Sequence, residues 1–326
     1  MNAQCTEYIH SRTLMVRDDN LTLKVIDISG TPVLSQTFYG VTEFEVSPSK
    51  LLTHEGPVYR VYTLQEGEYR EIFQTGRAVI STALSIEFFS FSKFLSANVQ
   101  VVDLVTLEEF GFIPPAYIIS MSILVNILNV VYCKPPNDYG LSRYDLKKRL
   151  KLHDFDLCST NYIFHPDISS DLVVYQYRSD VCVKSVKGDL LTTLADSDLI
   201  AVDGKYVVYQ TISSRHELHI WNCKTPDGGS RTLQLGSSED FHKHLISGSL
   251  LVLSYKGHFK VIDIHEATIL YEVEVESLYT NSLIPIKSEF YYVLPYVTTT
   301  PSFTTPAYQT PIKIFLEVYD FTGKVK

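Results

Sequence analysis

The 326-residue chain reads as all-β, a single β-propeller of seven or eight four-stranded blades. A short motif returns at about 40-residue intervals, apolar-alternating runs flank polar turns, and helical periodicity is scarce. The motif is clearest in Lys24-Val25-Ile26-Asp27-Ile28 and Lys260-Val261-Ile262-Asp263-Ile264. Looser relatives are Val101-Val102-Asp103-Leu104, Arg143-Tyr144-Asp145-Leu146, His219-Ile220-Trp221-Asn222 and Glu317-Val318-Tyr319-Asp320. Their acidic or amide positions are separated by 76, 42, 77, 41 and 57 residues. Two gaps are nearly double the shortest ones, and each holds a weaker member: Arg60-Val61-Tyr62-Thr63-Leu64 and Val181-Cys182-Val183-Lys184-Ser185-Val186. Eight segments result.

From the N-terminus, residues 3–10 read as a strand with two possible places. They form either the first strand of the first blade or the closing strand of the last, which the chain leaves short at Lys326. Residues 25–28, the turn Ser29-Gly30-Thr31 and residues 32–38 form a hairpin by period-two alternation around a glycine turn. Residues 181–186 with 190–194, and 261–264 with 269–275, repeat that pattern. Upstream of the later hairpins lie further apolar or β-branched runs at 172–177, 205–209, 249–255 and 290–296, which complete four strands per unit. The 22 Tyr and 17 Phe suit pleated, half-buried surfaces. Helical spacing is best at 106–110 and 146–152, yet both fall where the repeat requires a hairpin turn. Residues 117–133 are the most apolar stretch, interrupted by Ser120, Ser122, Asn126 and Asn129. At the lower limit of spanning length, they read as two successive buried strands of one blade rather than a membrane span.

No linker or composition shift divides the chain, so residues 1–326 read as one domain. The irregularity is residues 297–311, Thr/Pro-rich and without apolar content to pack, expected as an exposed, mobile loop joining two strands. Thr300, Thr305 and Thr310 each precede a proline there and are candidate sites for a proline-directed kinase.

The hairpins ending in Tyr144-Asp145, Trp221-Asn222 and Tyr319-Asp320 resemble the Trp-Asp ending of the third strand in WD40 repeats. That resemblance runs along nearly the whole chain and implies a WD40-like propeller. The Gly-His pair that precedes the family's first strand is missing, and Gly257-His258 falls inside a hairpin at the wrong phase. Residues 318–325 also resemble one repeat of quinoprotein-type propellers, without the Trp that usually follows.

The function classes narrow by subtraction. A net charge of −9 argues against nucleic acid as the main ligand, since phosphate binding needs clustered Lys and Arg. The exception is Lys147, Lys148, Arg149 and Lys151, read as a hairpin tip and a candidate contact for an acidic partner surface or phosphate. Five scattered cysteines without a C-x-x-C pair, and no signal-peptide pattern at the start, point to reduced thiols in cytosol or nucleus. The sequon Asn20-Leu21-Thr22 is then incidental. No catalytic motif of the nucleophile-elbow, P-loop or dinucleotide type occurs. In His242-Lys243-His244 the two imidazoles, with Asp240, would share one strand face as metal ligands, but the segment reads as an exposed connection. His216 and His219 would fall on opposite faces, and Gly228-Gly229-Ser230 reads as an enlarged hairpin turn.

These residues imply no cofactor and a non-catalytic scaffold, adaptor or complex subunit that binds protein partners. The alternatives are a ubiquitin-ligase substrate receptor, which would need an F-box upstream, and a propeller enzyme, either a hydrolase or a quinone-dependent oxidoreductase. Arg60, Trp221 and Tyr308 are candidate anchors for a partner, with Trp221 expected in a blade core.

Overall fold

The computed structural model describes residues 6–10, 13–17, 20–27, 33–76, 79–93, 98–159, 166–224, 229–236, 241, 243–247, 249–255, 258–274, 292–298 and 313–319. Among these residues there is no helix, and so no helix long and apolar enough to cross a membrane. The strands form seven four-stranded antiparallel sheets and one pair, each in simple chain order.

Sheet 1 is Thr6–His10, Thr13–Arg17, Thr22–Asp27 and Val33–Tyr39. Sheet 2 is Val41–Ser47, Lys50–Glu55, Val58–Gln65 and Glu68–Thr75. Sheet 3 is Val79–Leu84, Phe88–Lys93, Val99–Asp103 and Glu109–Phe112. Sheet 4 is Tyr117–Leu124, Ile127–Lys134, Asp138–Asp145 and Leu150–Ser159. Sheet 5 is Asp167–Ile168, Leu172–Tyr177, Asp180–Ser185 and Leu190–Leu194. Sheet 6 is Ser197–Asp203, Tyr206–Thr211, Ser214–Asn222 and Ser230–Gln234. Sheet 7 is Lys243–Ser247, Leu250–Tyr255, His258–Asp263 and Thr268–Glu274. The pair is Tyr292–Thr298 with Lys313–Tyr319. The chain divides into two compact units, Met1–Thr6 with Arg12–Asp198 and Glu7–Ser11 with Leu199–Lys326.

In all seven complete sheets the repeated motif is the third strand, and the two Lys-Val-Ile-Asp copies lie in sheets 1 and 7. The acidic position has a structural task. Asp103 Oδ1 accepts the amides of Val105 and Thr106 at 2.9 and 3.1 Å, and Asp263 Oδ1 those of His265 and Glu266 at 2.8 and 3.2 Å. Asp145, Asn222 and Ser185 cap their turns in the same way. Short side chains that bond nearby backbone in this manner favour turns over continued strand. After three of these caps the next residue turns inward: Leu104, Leu146 and Ile264 are buried, and their amides donate to Glu87, Asn126 and Ser249 carbonyls. One position thus closes the turn and the next plugs the core beneath it.

Neighbouring sheets pack face to face. Within the first unit, Leu52 and Val61 of sheet 2 meet Phe89, Phe91 and Val102 of sheet 3. Phe88, Val99 and Val101 of sheet 3 meet Leu128, Val130 and Tyr144 of sheet 4. Val131, Tyr139 and Leu141 of sheet 4 meet Val173 and Tyr175 of sheet 5. Within the second unit, Val208, Leu218 and Ile220 of sheet 6 meet Leu251, Leu253 and Ile262 of sheet 7. Each such side chain contributes about 1.5–3 kcal/mol on burial.

Polar links mark the same seams. The Gln36 amide donates to the Tyr69 carbonyl at 2.9 Å and accepts the Tyr69 amide at 2.8 Å, joining sheets 1 and 2. The Leu84 amide of sheet 3 donates to Glu45 of sheet 2 at 3.1 Å. Buried Arg143 of sheet 4 donates to the Val186 carbonyl beside sheet 5, and buried Lys260 of sheet 7 to the Leu235 carbonyl beside sheet 6. A buried cation costs less when it satisfies a carbonyl than when it is left alone.

Residues 106–110 and 146–152 contain no helix: 106 and 146–149 are turn, and 109–110 and 150–152 are strand. Residues 117–133 are the first two strands of sheet 4, with the second buried and the first only half-buried. Trp221 is core, 5% exposed. Residues 6–10 form a strand. Lys243 and His244 are corrected from a connection to a strand, because they pair in register with Ser254 and Leu253. His242, Asp240, Tyr308, Thr300, Thr305 and Thr310 lie outside the described residues, although the strands flanking 299–312 do pair antiparallel.

Candidate functional site

Chemistry-bearing clusters are few. Among the described residues no group of three or more His, Cys, Asp and Glu side chains is arranged to hold a metal. His216 is exposed near Ser214, and His219 stacks on Tyr209 at 5.1 Å with its Nδ1 against Thr232, so each has its own surroundings. Arg60 is tied to Glu71 at 2.6 Å and Glu55 at 3.2 Å.

The most distinctive surface is built from four turns of sheets 3 and 4. The turns at 85–87 and 104–108 belong to sheet 3, and those at 125–126 and 146–149 to sheet 4. Within each sheet the two turns are joined by a backbone bond, Leu104 to Glu87 at 2.7 Å and Leu146 to Asn126 at 2.9 Å. Between the sheets, Lys147 Nζ lies 2.9 Å from Glu87 Oε2. Arg149 meets Glu108 through two parallel bonds of 2.9 and 2.5 Å, and its guanidinium covers the Phe110 ring at 4.7 Å. That bidentate pair holds the Glu108 carboxyl below its ordinary range and raises Arg149.

Four bulky apolar side chains project from this linked set of turns: Ile86 at 50% exposure, Val105 at 76%, Leu107 at 51% and Val125 at 84%. Leu107 and Val125 also adopt positive φ, 60° and 58°. A left-handed backbone is unfavourable for side chains of this kind and outright unusual for a β-branched one. Asn or Gly would sit there more easily and would be more soluble, so stability and solubility both argue against the residues present.

The basic run read in the sequence surrounds this cluster in a different state from a bare patch. Lys147 pairs with Glu87, Lys148 with Asp145 at 3.5 Å, Arg149 with Glu108, and Lys151 with Asp154 at 2.6 Å. Asp145 is held below its ordinary range chiefly by the Lys148 amide. Sequence reasoning missed Ile86, Val105, Leu107 and Val125. Apolar residues beside strand runs look like strand ends, and only their place between a capping Asp and the next strand marks Val105 and Leu107 as outward.

No family model matches the chain, and no curated protein matches it. Solved structures do match its fold. The computationally designed Ika8 protein is 15% identical, with 90% of this chain and 93% of that chain covered and a TM-score of 0.62. Sqt1 of Saccharomyces cerevisiae is 10% identical over 98% and 94% of the two chains, TM-score 0.57. Hsv2 of Kluyveromyces lactis is 10% identical over 84% and 100%, TM-score 0.53. The fold class is therefore the β-propeller, with seven four-stranded blades among the described residues. At such identities the likeness extends to fold alone.

Proposed function

We propose that the chain is a non-catalytic, WD40-like scaffold or adaptor of the cytosol or nucleus, docking a protein partner on the turn surface of sheets 3 and 4. The observation that carries this reading is the exposed quartet Ile86, Val105, Leu107 and Val125 on turns fixed by caps and ion pairs. Apolar residues scattered singly need no explanation, whereas a linked cluster rimmed by charge is how docking surfaces look. Lys147, Lys148, Arg149 and Lys151 form that rim, where charge sets encounter and register more than affinity.

The test compares tagged wild-type protein with Val105→Asp/Val125→Asp and with Leu190→Asp, a control at an exposed apolar position of sheet 5. We expect a stoichiometric partner from native extract that the double variant loses by at least about tenfold in affinity and the control retains. Equal capture by all three proteins would move the surface elsewhere. A metal or chromophore that survives purification, with no partner, would turn the assignment to a propeller enzyme.

A further inference from the structure

Sheets 4 and 5 each contribute a half-buried thiol to the core between them. Cys158 lies on the fourth strand of sheet 4, in register with Tyr139, and Cys182 on the third strand of sheet 5, in register with Tyr175. Both pack against the cluster of Val131, Tyr139, Leu157 and Tyr175. The two strands are pinned together next to the sulfurs. Tyr175 donates to the Leu157 carbonyl at 2.9 Å, and Lys184 Nζ to the Asp156 and Leu157 carbonyls at 2.6 and 3.3 Å. Lys184 and Cys182 are two residues apart on one strand, so both face the 156–158 stretch. A bulge there, where Tyr139 pairs with Cys158 but Gly140 with Asp156, inserts Leu157 and re-aims the residue after it.

We propose that Cys158 and Cys182 are an oxidation-sensitive pair that closes to a disulfide, stapling the fourth strand of sheet 4 to sheet 5. Cys133 is out of reach of Cys158. Cys133 also flanks Tyr139, but from the opposite neighbouring strand. That leaves Cys133 and Cys158 about 9.5 Å apart at the backbone, beyond the roughly 6.8 Å that a disulfide spans. Closure requires Cys158 to approach Cys182, and its strand is the edge strand of sheet 4, paired along a single side within its sheet and held against sheet 5 by the Tyr175 and Lys184 bonds.

The oxidant is a peroxide. Burial is the larger influence and raises both thiols, Cys158 to about 11, while a hydrogen bond from Thr193 offsets part of it at Cys182. The Cys182 thiolate attacks one oxygen of hydrogen peroxide, the O–O bond breaks, and hydroxide leaves and takes up the thiol's proton as water. Cys158 sulfur then attacks the sulfenic sulfur, the S–O bond breaks and a second water leaves with the remaining proton. Two thiols and one peroxide give one disulfide and two waters.

Folded protein is treated with hydrogen peroxide and mapped as non-reduced peptides, alongside Cys158→Ala and Cys182→Ala. We expect the loss of two hydrogens per chain, a cross-linked peptide holding residues 158 and 182, and no such species in either variant. The rate should rise about tenfold between about pH 7.5 and about pH 8.5, because the thiolate is the nucleophile. Thermal stability should rise on oxidation and return with a reductant. Folding of both variants is checked by circular dichroism, and differential labelling of wild type covers the case in which one does not fold. Bridges that involve Cys133, Cys223 or Cys5 instead, or over-oxidation without a cross-link, would overturn the proposal, as would closure seen only under denaturant.

Discussion

Glu45, on the first strand of sheet 2, shows how one side chain can hold two sheets and weaken them. Its carboxylate accepts the Leu84 amide, yet burial outweighs that bond and lifts its pKa to about 6. The folded state therefore holds the proton more tightly than the unfolded chain. The stability this contributes is complete below the ordinary carboxylate range and is lost as pH rises through about 6. Near neutral pH the charged form costs about 2 kcal/mol. Glu45→Gln keeps an acceptor for Leu84 without the charge. We expect it to raise stability by about 1–2 kcal/mol in urea melts near pH 7.5, and to change little near pH 4.5. An equal gain at both pH values would rule out charge burial as the cause. Gly140, within sheet 4, is fixed by a close approach instead, since a β-carbon there would lie 2.3 Å from the Tyr132 ring. Tyr132 cannot withdraw without giving up its 2.7 Å bond to Asp154. Sequence alone marks a glycine inside a strand as unusual, but not which ring requires it.

At the scale of the element, the hairpin between third and fourth strands is the unit that repeats, and its cap is what made the chain readable. Asp103, Asp145, Asn222 and Asp263 recur because the turn needs a short acceptor, and Leu104, Leu146 and Ile264 follow because the core needs a plug. Asp263→Ala should cost about 0.5–1.5 kcal/mol by freeing two amides, while Asp263→Asn should recover most of it. If Asn proves as damaging as Ala in chemical denaturation, the capping geometry is not what the residue supplies. First strands carry no such signature. Asp167–Ile168 has two residues and Val41–Ser47 mixes charge with apolar groups, so only the packing of neighbours defines them. The turn surface was hidden for another reason. Lys147 and Arg149 find Glu87 and Glu108 at separations of 60 and 41 residues, a pairing no local pattern announces. Positive φ at Leu107 and Val125 is likewise invisible where neither Gly nor Asn stands.

For the molecule as a whole, charge and fold act separately. Acidic residues number 37 against 28 basic, and the densest basic run is neutralised by its own carboxylates. We expect no retardation of duplex DNA or single-stranded RNA at about 0.15 M salt, where long-range attraction is already screened. A salt-sensitive complex under those conditions would count against the adaptor reading and for a nucleic-acid ligand. Architecture was legible because about 40 residues suffice to state one blade, and the chain states it repeatedly. The same property explains why solved propellers match in shape at 10–15% identity while no family model matches. Caps, plugs and alternation are satisfied by many residue sets, so the scaffold leaves little that a sequence comparison can hold.

The Gln36 amide has a consequence of its own. Outermost strands carry peptide groups that another chain can template upon, and polymerisation by added strands begins at such places. At Tyr69, on the fourth strand of sheet 2, both groups of that peptide edge are already engaged, donor and acceptor, by one side chain of sheet 1. Gln36 stands in there for a single residue of a fifth strand. A guest strand would have to evict it before its first ladder rung could form.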